Sequence, residues 1–175
     1  MILVLGGARS GKSSYAQNLA ETLFKRPLYL ATAEAHDSEM ADRIRRHRRQ
    51  RGSRWCTCEE PRAIAQAILE AGPRCDGVLL ECATMWLSNV MLADGRAALA
   101  RCKREVMRAL RMTRRPVIIV ANEVGMGVVP PTPLGRDFRD EAGWLNQALA
   151  ATADCVVLVI AGLPMALKGT VPCAD

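Results

Sequence analysis

The order of apolar runs along the chain constrains its fold most strongly. Five short runs alternate with stretches in which apolar residues recur every three or four positions, as they do on one face of a helix. Uninterrupted apolar strands are typical of a parallel sheet that is covered on both faces. We therefore predict an α/β fold, a doubly wound, mostly parallel sheet with helices on both faces. The predicted strands are 2–5, 28–32, 78–81, 117–121 and 155–160.

The helices between these strands are predicted from apolar stripes. Pro61 suits the first turn of a helix that carries Ile64 and Ile68. The stretch 125–133 holds three prolines and two glycines and is predicted to be a loop. The remaining stripes are Tyr15, Leu19 and Leu23; Leu99, Cys102, Val106 and Leu110; and Leu134, Phe138, Leu145 and Leu149.

Length and composition indicate one domain spanning residues 1–175. The chain has 175 residues, of which 50% are hydrophobic. That length is sufficient for one domain with a hydrophobic core and is short for two. No stretch approaches the roughly 20 consecutive apolar residues of a membrane helix. The first residues enter a predicted strand with no basic leader before it. We therefore expect a cytoplasmic protein without a membrane span.

The cysteines do not indicate a disulfide framework. There are seven, an odd number, and they form no CxxC pair. Several fall inside predicted strands or helices, so we interpret them as reduced thiols that mostly fill the core. The alternative for Cys56-Thr57-Cys58 is a metal site.

The net charge of +6 comes from one segment. Residues 43–54 (RIRRHRRQRGSR) contain seven arginines and no acidic residue, whereas the rest of the chain has 17 basic and 18 acidic residues. Such a local patch suits a nucleic acid or a small polyphosphate equally well. A solvated helix face is the alternative.

A phosphate-binding motif follows the first predicted strand. Gly6-x-x-x-x-Gly11-Lys12-Ser13 lies between that strand and a predicted helix, which is the context the P-loop pattern requires. The glycines let backbone N–H groups converge on phosphate oxygens, and the start of the helix adds its positive dipole end. Lys12 supplies a mobile charge to the β- and γ-phosphates, and the Ser13 hydroxyl is suited to Mg²⁺. We therefore predict a P-loop NTPase-like nucleotide site.

A carboxylate is predicted on the same edge. The third predicted strand ends in Glu81, a position from which a carboxylate can hold Mg²⁺ through water. The alternative is a solvent-exposed acid at a strand end. Asn122 is followed by Glu123-Val124-Gly125, so the NKxD motif that reads a guanine base in signalling GTPases is absent.

A histidine lies within the arginine-rich segment. After the helix-start residues Asp37 and Ser38, the side chains of Met40, Ile44 and His47 fall within about 60° of one another on a helix. That position is typical of a packed core histidine. Arg46 and Arg48 flank it, however, and guanidinium groups keep an imidazole neutral and nucleophilic. His47 is therefore also a candidate nucleophile toward a polyphosphate.

Together these segments resemble the bifunctional adenosylcobinamide kinase / adenosylcobinamide-phosphate guanylyltransferase family of cobalamin biosynthesis. The resemblance extends from Met1 to about Lys168, and NEVGMGVVP with the downstream FRDEAG is its most specific part. It implies a two-step enzyme. A nucleoside triphosphate phosphorylates adenosylcobinamide, and GTP then gives GMP to a histidine, which passes it to adenosylcobinamide phosphate. The other matching segments are GGARSGKS, RIRRHR, WCTCEEP, LLECATMWLSN and AGLPMALKG.

The resemblance assigns roles residue by residue. It implies His47 as the GMP-accepting nucleophile, with GTP and ATP as substrates. Lys12 is the second catalytic residue, and Ser13 and Glu81 are the Mg²⁺ ligands that the motif and the strand end predict. His36 lies outside the motif. The implied nucleotide contacts are Gly6, Gly7, Ala8, Arg9, Ser10, Gly11, Lys12, Ser13, Ala31, Thr32, Ala33, Arg48, Arg49, Gln50, Arg51, Glu59 and Glu81. It also suggests a homo-oligomer, such as a trimer with active sites at subunit contacts.

Some positions depart from the family pattern or stay open. Glu81 stands where aspartate is commoner, PPTP at 130–133 replaces a less proline-rich loop, and the tail TVPCAD has no counterpart. A further group is expected near the corrinoid or its reacting hydroxyl, with strand-end and helix-surface positions as the alternative. This group is Asn122, Glu123, Arg136, Arg139 and Asp140.

Two other functions compete with this interpretation. One is a monofunctional P-loop small-molecule kinase in which His47 is merely packed. The other is a nucleic-acid-dependent ATPase that uses 43–54 as a binding arm. Only Trp55 stands beside that arm as a stacking ring, whereas single-strand binders usually offer several. We therefore expect no nucleic-acid partner.

Overall fold

A computed structural model describes residues 1–34, 52–72 and 75–171. Within these ranges the strands are β1 (Ile2–Gly6), β2 (Pro27–Ala31), β3 (Cys56–Glu59), β4 (Gly77–Glu81), β5 (Val117–Asn122), β6 (Cys155–Ile160) and β7 (Leu163–Lys168). They form one sheet in the order β3-β2-β4-β5-β1-β6-β7. All neighbours are parallel except β6 and β7, which are antiparallel. The predicted mostly parallel sheet is confirmed.

Four helices connect the strands in the described ranges. They are α1 (Lys12–Leu23), α2 (Ile64–Leu69), α3 (Ala83–Met112) and α4 (Pro133–Thr152). Gly95, with φ 75° and ψ 179°, interrupts the helical geometry of α3, so two helical segments meet there at a kink. Thr132 caps α4, because its side chain accepts a hydrogen bond from the Gly135 N–H, and Pro133 occupies the first turn.

The core lies on both faces of the sheet. Alternate residues of β1 point to opposite sides: Leu3 and Leu5 join a cluster with α2, α3 and α4, whereas Val4 joins a cluster with α1. Trp86 lies fully buried in the first cluster. Helices therefore cover both faces, as predicted. A single domain over residues 1–175 stays a prediction.

Three details of the helix prediction are wrong. Pro61 lies three residues before α2 instead of in its first turn, and the Glu60 carboxylate there accepts the N–H groups of Arg62 and Ala63 at 2.9 and 2.8 Å. Leu23 and Leu134 were assigned to apolar stripes, but both are exposed. Leu23 is the last residue of α1 and Leu134 the second residue of α4.

The six cysteines in the described part of the chain are free thiols, as expected, and Cys173 lies outside it. Cys56 and Cys58 lie on β3 and pack against the core cluster of α2 and α3. The described residues contain no group of three or more histidine, cysteine and acidic side chains that could hold a metal ion, so the metal alternative for Cys56 and Cys58 has no support there. None of the described helices is long and apolar enough to span a membrane.

Candidate nucleotide site

The loop between β1 and α1 has a shape that its glycines permit. Arg9 and Gly11 both have positive φ, 56° and 92°, so the chain turns sharply before α1 begins at Lys12. A Cβ on Gly6 would lie 2.7 Å from the Val159 carbonyl oxygen of β6, so only glycine fits. The Gly162 N–H donates to the Ser10 carbonyl at 2.8 Å. The turn between β6 and β7 therefore helps to hold the phosphate-binding loop in place.

Lys12 lies over this loop. Its side chain is 8% exposed, and Nζ donates to the Gly7 carbonyl at 3.1 Å. Gly7, Ala8 and Arg9 are exposed. The ammonium group is thus held beside the surface that an incoming phosphate would meet, instead of pointing freely into solvent.

A hydrogen bond between Ser13 and Glu81 joins the start of α1 to the end of β4. Glu81 ends β4, and the Ser13 hydroxyl in the first turn of α1 donates to its Oε1 at 2.7 Å. A hydroxyl and a carboxylate at this separation are the hard oxygen donors that Mg²⁺ prefers. Burial, together with the negative charge of Glu81, raises the pKa of the neighbouring Cys82 thiol, which therefore stays neutral. The pair fits a magnesium ion, and no thiolate lies next to it in sequence.

Thr32 connects the ends of β2 and β4. Its Oγ1 donates to the Cys82 carbonyl at 2.9 Å and accepts the Cys82 N–H at 2.8 Å, and the side chain is fully buried. The Thr32 N–H donates to the Glu81 carbonyl at 3.0 Å. The geometry gives Thr32 the role of positioning Glu81, and its nucleotide contact stays a prediction.

Ala31 and Glu59 lie on the same edge of the sheet. In the strand register Ala31 is the partner of both Glu81 on β4 and Glu59 on β3. The structure therefore brings these two residues into one row with Glu81. Ala33, another predicted contact, follows Thr32 just beyond β2 and is half-buried. The predicted residues of the arginine-rich segment, His47, Arg48, Arg49, Gln50 and Arg51, lie outside the described residues, as does His36.

Arg54, the last arginine of the basic segment, is placed away from the phosphate-binding loop. Its guanidinium donates to the carbonyls of Glu21, Phe24 and Lys25 at 3.0, 2.6 and 3.3 Å and so caps the end of α1. The end of α1 is about 18 Å from its start. At least one of the seven arginines therefore has a structural role.

Sequence reasoning missed three buried polar side chains that organise this edge. Asn89 on α3 donates to the carbonyls of Thr32 and Pro61 at 2.7 and 3.1 Å. Thr84 Oγ1 accepts the Asn122 N–H at 2.7 Å, and Asn146 donates to the Asn122 carbonyl at 3.1 Å. The signal in the sequence was a polar residue inside an apolar helical stripe, as in WLSNV at 86–90.

The residues expected near the acceptor substrate divide into two groups. Asn122 is the register partner of Gly6, and the Glu123 N–H donates to the Gly6 carbonyl at 3.0 Å, so both adjoin the phosphate-binding loop. Arg136 instead donates to the carbonyls of Pro130 and Pro131. Arg139 and Asp140 on α4 form an ion pair of 3.7 Å with each other. These contacts are the ones expected if Arg136, Arg139 and Asp140 are surface charges of α4, which is the alternative interpretation.

Comparison with known proteins gives matches over nearly the whole chain. The profile of the family described as cobinamide kinase / cobinamide phosphate guanyltransferase matches residues 2–167. The bifunctional adenosylcobalamin biosynthesis protein CobP of Pseudomonas aeruginosa is 45% identical over 95% of this chain and 96% of its own length. The proteins named CobU of Salmonella typhimurium and Escherichia coli are 40% and 39% identical, over 96% of this chain and 99% of theirs.

A solved structure is similar in fold. It is described as a prototypical ATPase from the type III secretion system of pathogenic bacteria, with a TM-score of 0.50 and 12% identity. The match covers 94% of this chain and 56% of the ATPase chain. At this identity the likeness concerns the fold alone, and it confirms the predicted P-loop NTPase-like architecture.

Proposed function

This chain belongs to the cobinamide kinase / cobinamide phosphate guanyltransferase family, and we propose that it carries out two successive steps of cobalamin biosynthesis. First, ATP or GTP phosphorylates the hydroxyl on the aminopropanol arm of adenosylcobinamide. GTP then transfers GMP through an enzyme histidine to the phosphorylated corrinoid, and pyrophosphate leaves. The predicted enzyme class, a kinase and guanylyltransferase, agrees with the family and with the names of its relatives.

One observation supports the kinase step above all: the Ser13 hydroxyl meets the Glu81 carboxylate at 2.7 Å beside a loop covered by Lys12. The loop N–H groups and Lys12 would bind the β- and γ-phosphates and hold the γ-phosphorus in line with the acceptor hydroxyl. Ser13 and Glu81 would hold Mg²⁺, whose charge would offset the charge that develops on the phosphate oxygens. Catalysis at this loop is thus positioning and electrostatic stabilisation.

The guanylyl transfer step is assigned to His47. The imidazole would attack the α-phosphorus of GTP, forming a nitrogen–phosphorus bond as the bond to pyrophosphate breaks. The imidazole proton then passes to solvent. A phosphate oxygen of the corrinoid would next displace the imidazole and take over the GMP. Arg46 and Arg48 flank His47 in the sequence and would stabilise charge on the α-phosphate and on departing pyrophosphate.

The proposed function is tested by supplying purified protein with adenosylcobinamide, Mg²⁺ and GTP. We expect adenosylcobinamide phosphate to rise and then fall as adenosylcobinamide-GDP accumulates, because the second step consumes the product of the first. Mass spectrometry distinguishes the three corrinoids. Accumulation of the phosphate alone would identify a monofunctional kinase. No phosphorylated corrinoid of either kind would contradict the proposal as a whole.

The arginine-rich segment provides a second prediction. If Arg48 and Arg51 bind GTP, Arg48→Ala and Arg51→Ala should each lower the guanylylation rate at least tenfold while leaving Tm nearly unchanged, since charges that serve a ligand contribute little to folding. Arg54→Ala is the matched control. It removes the cap of α1 and should lower Tm without slowing guanylylation. Unchanged guanylylation in the Arg48 and Arg51 variants would favour a solvated helix face.

The assembly and surroundings of the enzyme are also proposals. Every residue of the edge strand β7 is exposed, and three of these residues are large and apolar: Leu163, Met165 and Leu167. Such an apolar edge supports a homo-oligomer, such as a trimer, and light scattering would report the number of subunits.

We place the enzyme in the cytoplasm, where its nucleotide substrates are found. We also propose that the enzyme has no nucleic-acid partner. Arg54 supports this, because its guanidinium caps α1 and is therefore not available to bind a nucleic acid as part of segment 43–54.

A further inference from the structure

We propose that Glu123 is the carboxylate that accepts the proton of the acceptor hydroxyl in the kinase step. The inference rests on the proposed function and adds a residue to it. Glu123 follows β5 directly, and its N–H donates to the Gly6 carbonyl at 3.0 Å. That bond extends the pairing of β5 with β1 by one residue, to the first turn of the phosphate-binding loop.

The position of Glu123 in the sheet distinguishes it from the other carboxylates on this edge. Neighbouring strands lie about 4.8 Å apart. Glu59 ends β3 and Glu60 follows it, four strands from β1 and therefore about 19 Å away. Glu34 follows β2, three strands away. Glu81 lies two strands away and is engaged by Ser13. Of the described carboxylates that end a strand on this edge, Glu123 alone belongs to the strand beside β1.

The local contacts hold the Glu123 side chain in a defined place. Its Oε1 accepts the Gly125 N–H at 2.7 Å, which turns the carboxylate along the loop that follows β5. A carboxylate has further lone pairs, so this bond leaves acceptor capacity on both oxygens. Asn122, the preceding residue, is fixed by Thr84 and Asn146 through its backbone, so the strand end that carries Glu123 is well anchored.

The loop after Glu123 is exposed at residues 125–129. Met126 and Val128 are 83% and 95% exposed. A large, partly apolar acceptor can therefore approach Glu123 across these side chains, while the triphosphate occupies the loop on the β1 side. This arrangement suits the transfer of a phosphoryl group to a bulky alcohol.

As the acceptor oxygen forms its bond to the γ-phosphorus, its proton passes to the Glu123 carboxylate. The bond between the γ-phosphorus and the β,γ-bridging oxygen breaks, and the nucleoside diphosphate leaves with that electron pair. Glu123 then returns the proton to solvent. General-base assistance of this kind typically contributes about 10²- to 10⁴-fold to a rate.

Glu123→Gln tests this role sharply, because the amide oxygen can still accept the Gly125 N–H but the side chain no longer takes a proton. We expect kcat for phosphorylation of adenosylcobinamide to fall at least about 100-fold, with little change in KM for the nucleotide. Covalent labelling by α-labelled GTP should persist. Glu60→Gln is the matched control, since Glu60 also accepts backbone N–H groups on this edge, and it should phosphorylate at the wild-type rate.

The outcomes separate this inference from the proposed function. Wild-type protein that phosphorylates adenosylcobinamide, with Glu123→Gln within tenfold of it, would overturn the role of Glu123 and leave the function standing. Wild-type protein without that activity would overturn the function itself. If Glu123→Gln does not fold, Glu123→Asp and Glu123→Asn are compared instead, because their side chains have the same length and only the aspartate can take a proton. We then expect activity in the Asp variant and its loss in the Asn variant, and equal rates in the two would contradict the proposal.

Discussion

Lys12→Ala is expected to lower phosphorylation of adenosylcobinamide by two or more orders of magnitude. The substitution removes the cation that lies over the phosphate-binding loop, and loss of one preorganised electrostatic group typically costs about 10²- to 10³-fold in rate. Binding of the triphosphate should weaken as well, since the same ammonium is proposed to contact the β- and γ-phosphates in the ground state. Initial rates and nucleotide titration measure the two effects.

Folding should survive this change. The one hydrogen bond that the structure gives to Lys12 Nζ is to the Gly7 carbonyl, so its loss should alter the free energy of unfolding by about 1 kcal/mol. Lys25→Ala, an exposed lysine just beyond the end of α1, serves as the control and should keep full activity. Normal phosphorylation by a folded Lys12→Ala variant would show that the loop does not bind the reacting phosphates.

The parts of the fold that were predictable are those with apolar residues on both faces. β1, β2, β4, β5 and β6 are buried between helices, so their sequences read as continuous apolar runs, and each appears with ends within one residue of the prediction. β3 and β7 were missed because they lie at the two edges of the sheet. The residues of β3 alternate between half-buried and exposed, so its sequence has no continuous apolar run. β7 reads LPMALK, and Pro164 within it argues against a strand in a sequence-based prediction.

The phosphate-binding loop was predictable because its chemistry depends on neighbours in sequence. Lys12 and Ser13 follow Gly11 directly, and the motif alone places them at the start of a helix. The contacts that support the site depend on strand order instead. Thr32 reaches Cys82 and Asn89 reaches Thr32 because β2 pairs with β4, and that pairing is not encoded in any short segment.

His47→Ala has the other large expected effect. It should abolish transfer of GMP while much of the kinase activity remains, because Lys12, Ser13 and Glu81 are unchanged. The reason is chemical: without the imidazole no nitrogen is present to form the phosphoramidate, and the corrinoid phosphate would have to attack GTP directly. Assays of the two steps with adenosylcobinamide and with adenosylcobinamide phosphate separate the losses.

His36→Ala is the matched control for that variant. His36 is the other histidine of the chain and lacks adjacent arginines, so its replacement should leave both steps intact. Equal loss of both steps in His47→Ala, with lowered Tm, would instead support the packed-histidine alternative.

Covalent labelling tests the two-step account most directly. Protein incubated with Mg²⁺ and α-labelled GTP and then denatured should carry label in step with released pyrophosphate, whereas γ-labelled GTP should leave none at this site. The label should be stable in alkali and lost in acid, because protonation of the imidazole nitrogen restores a good leaving group. His47→Ala should carry no label. Label that persists in His47→Ala, label that resists acid, or wild-type protein without label would contradict a histidine-bound GMP intermediate at His47.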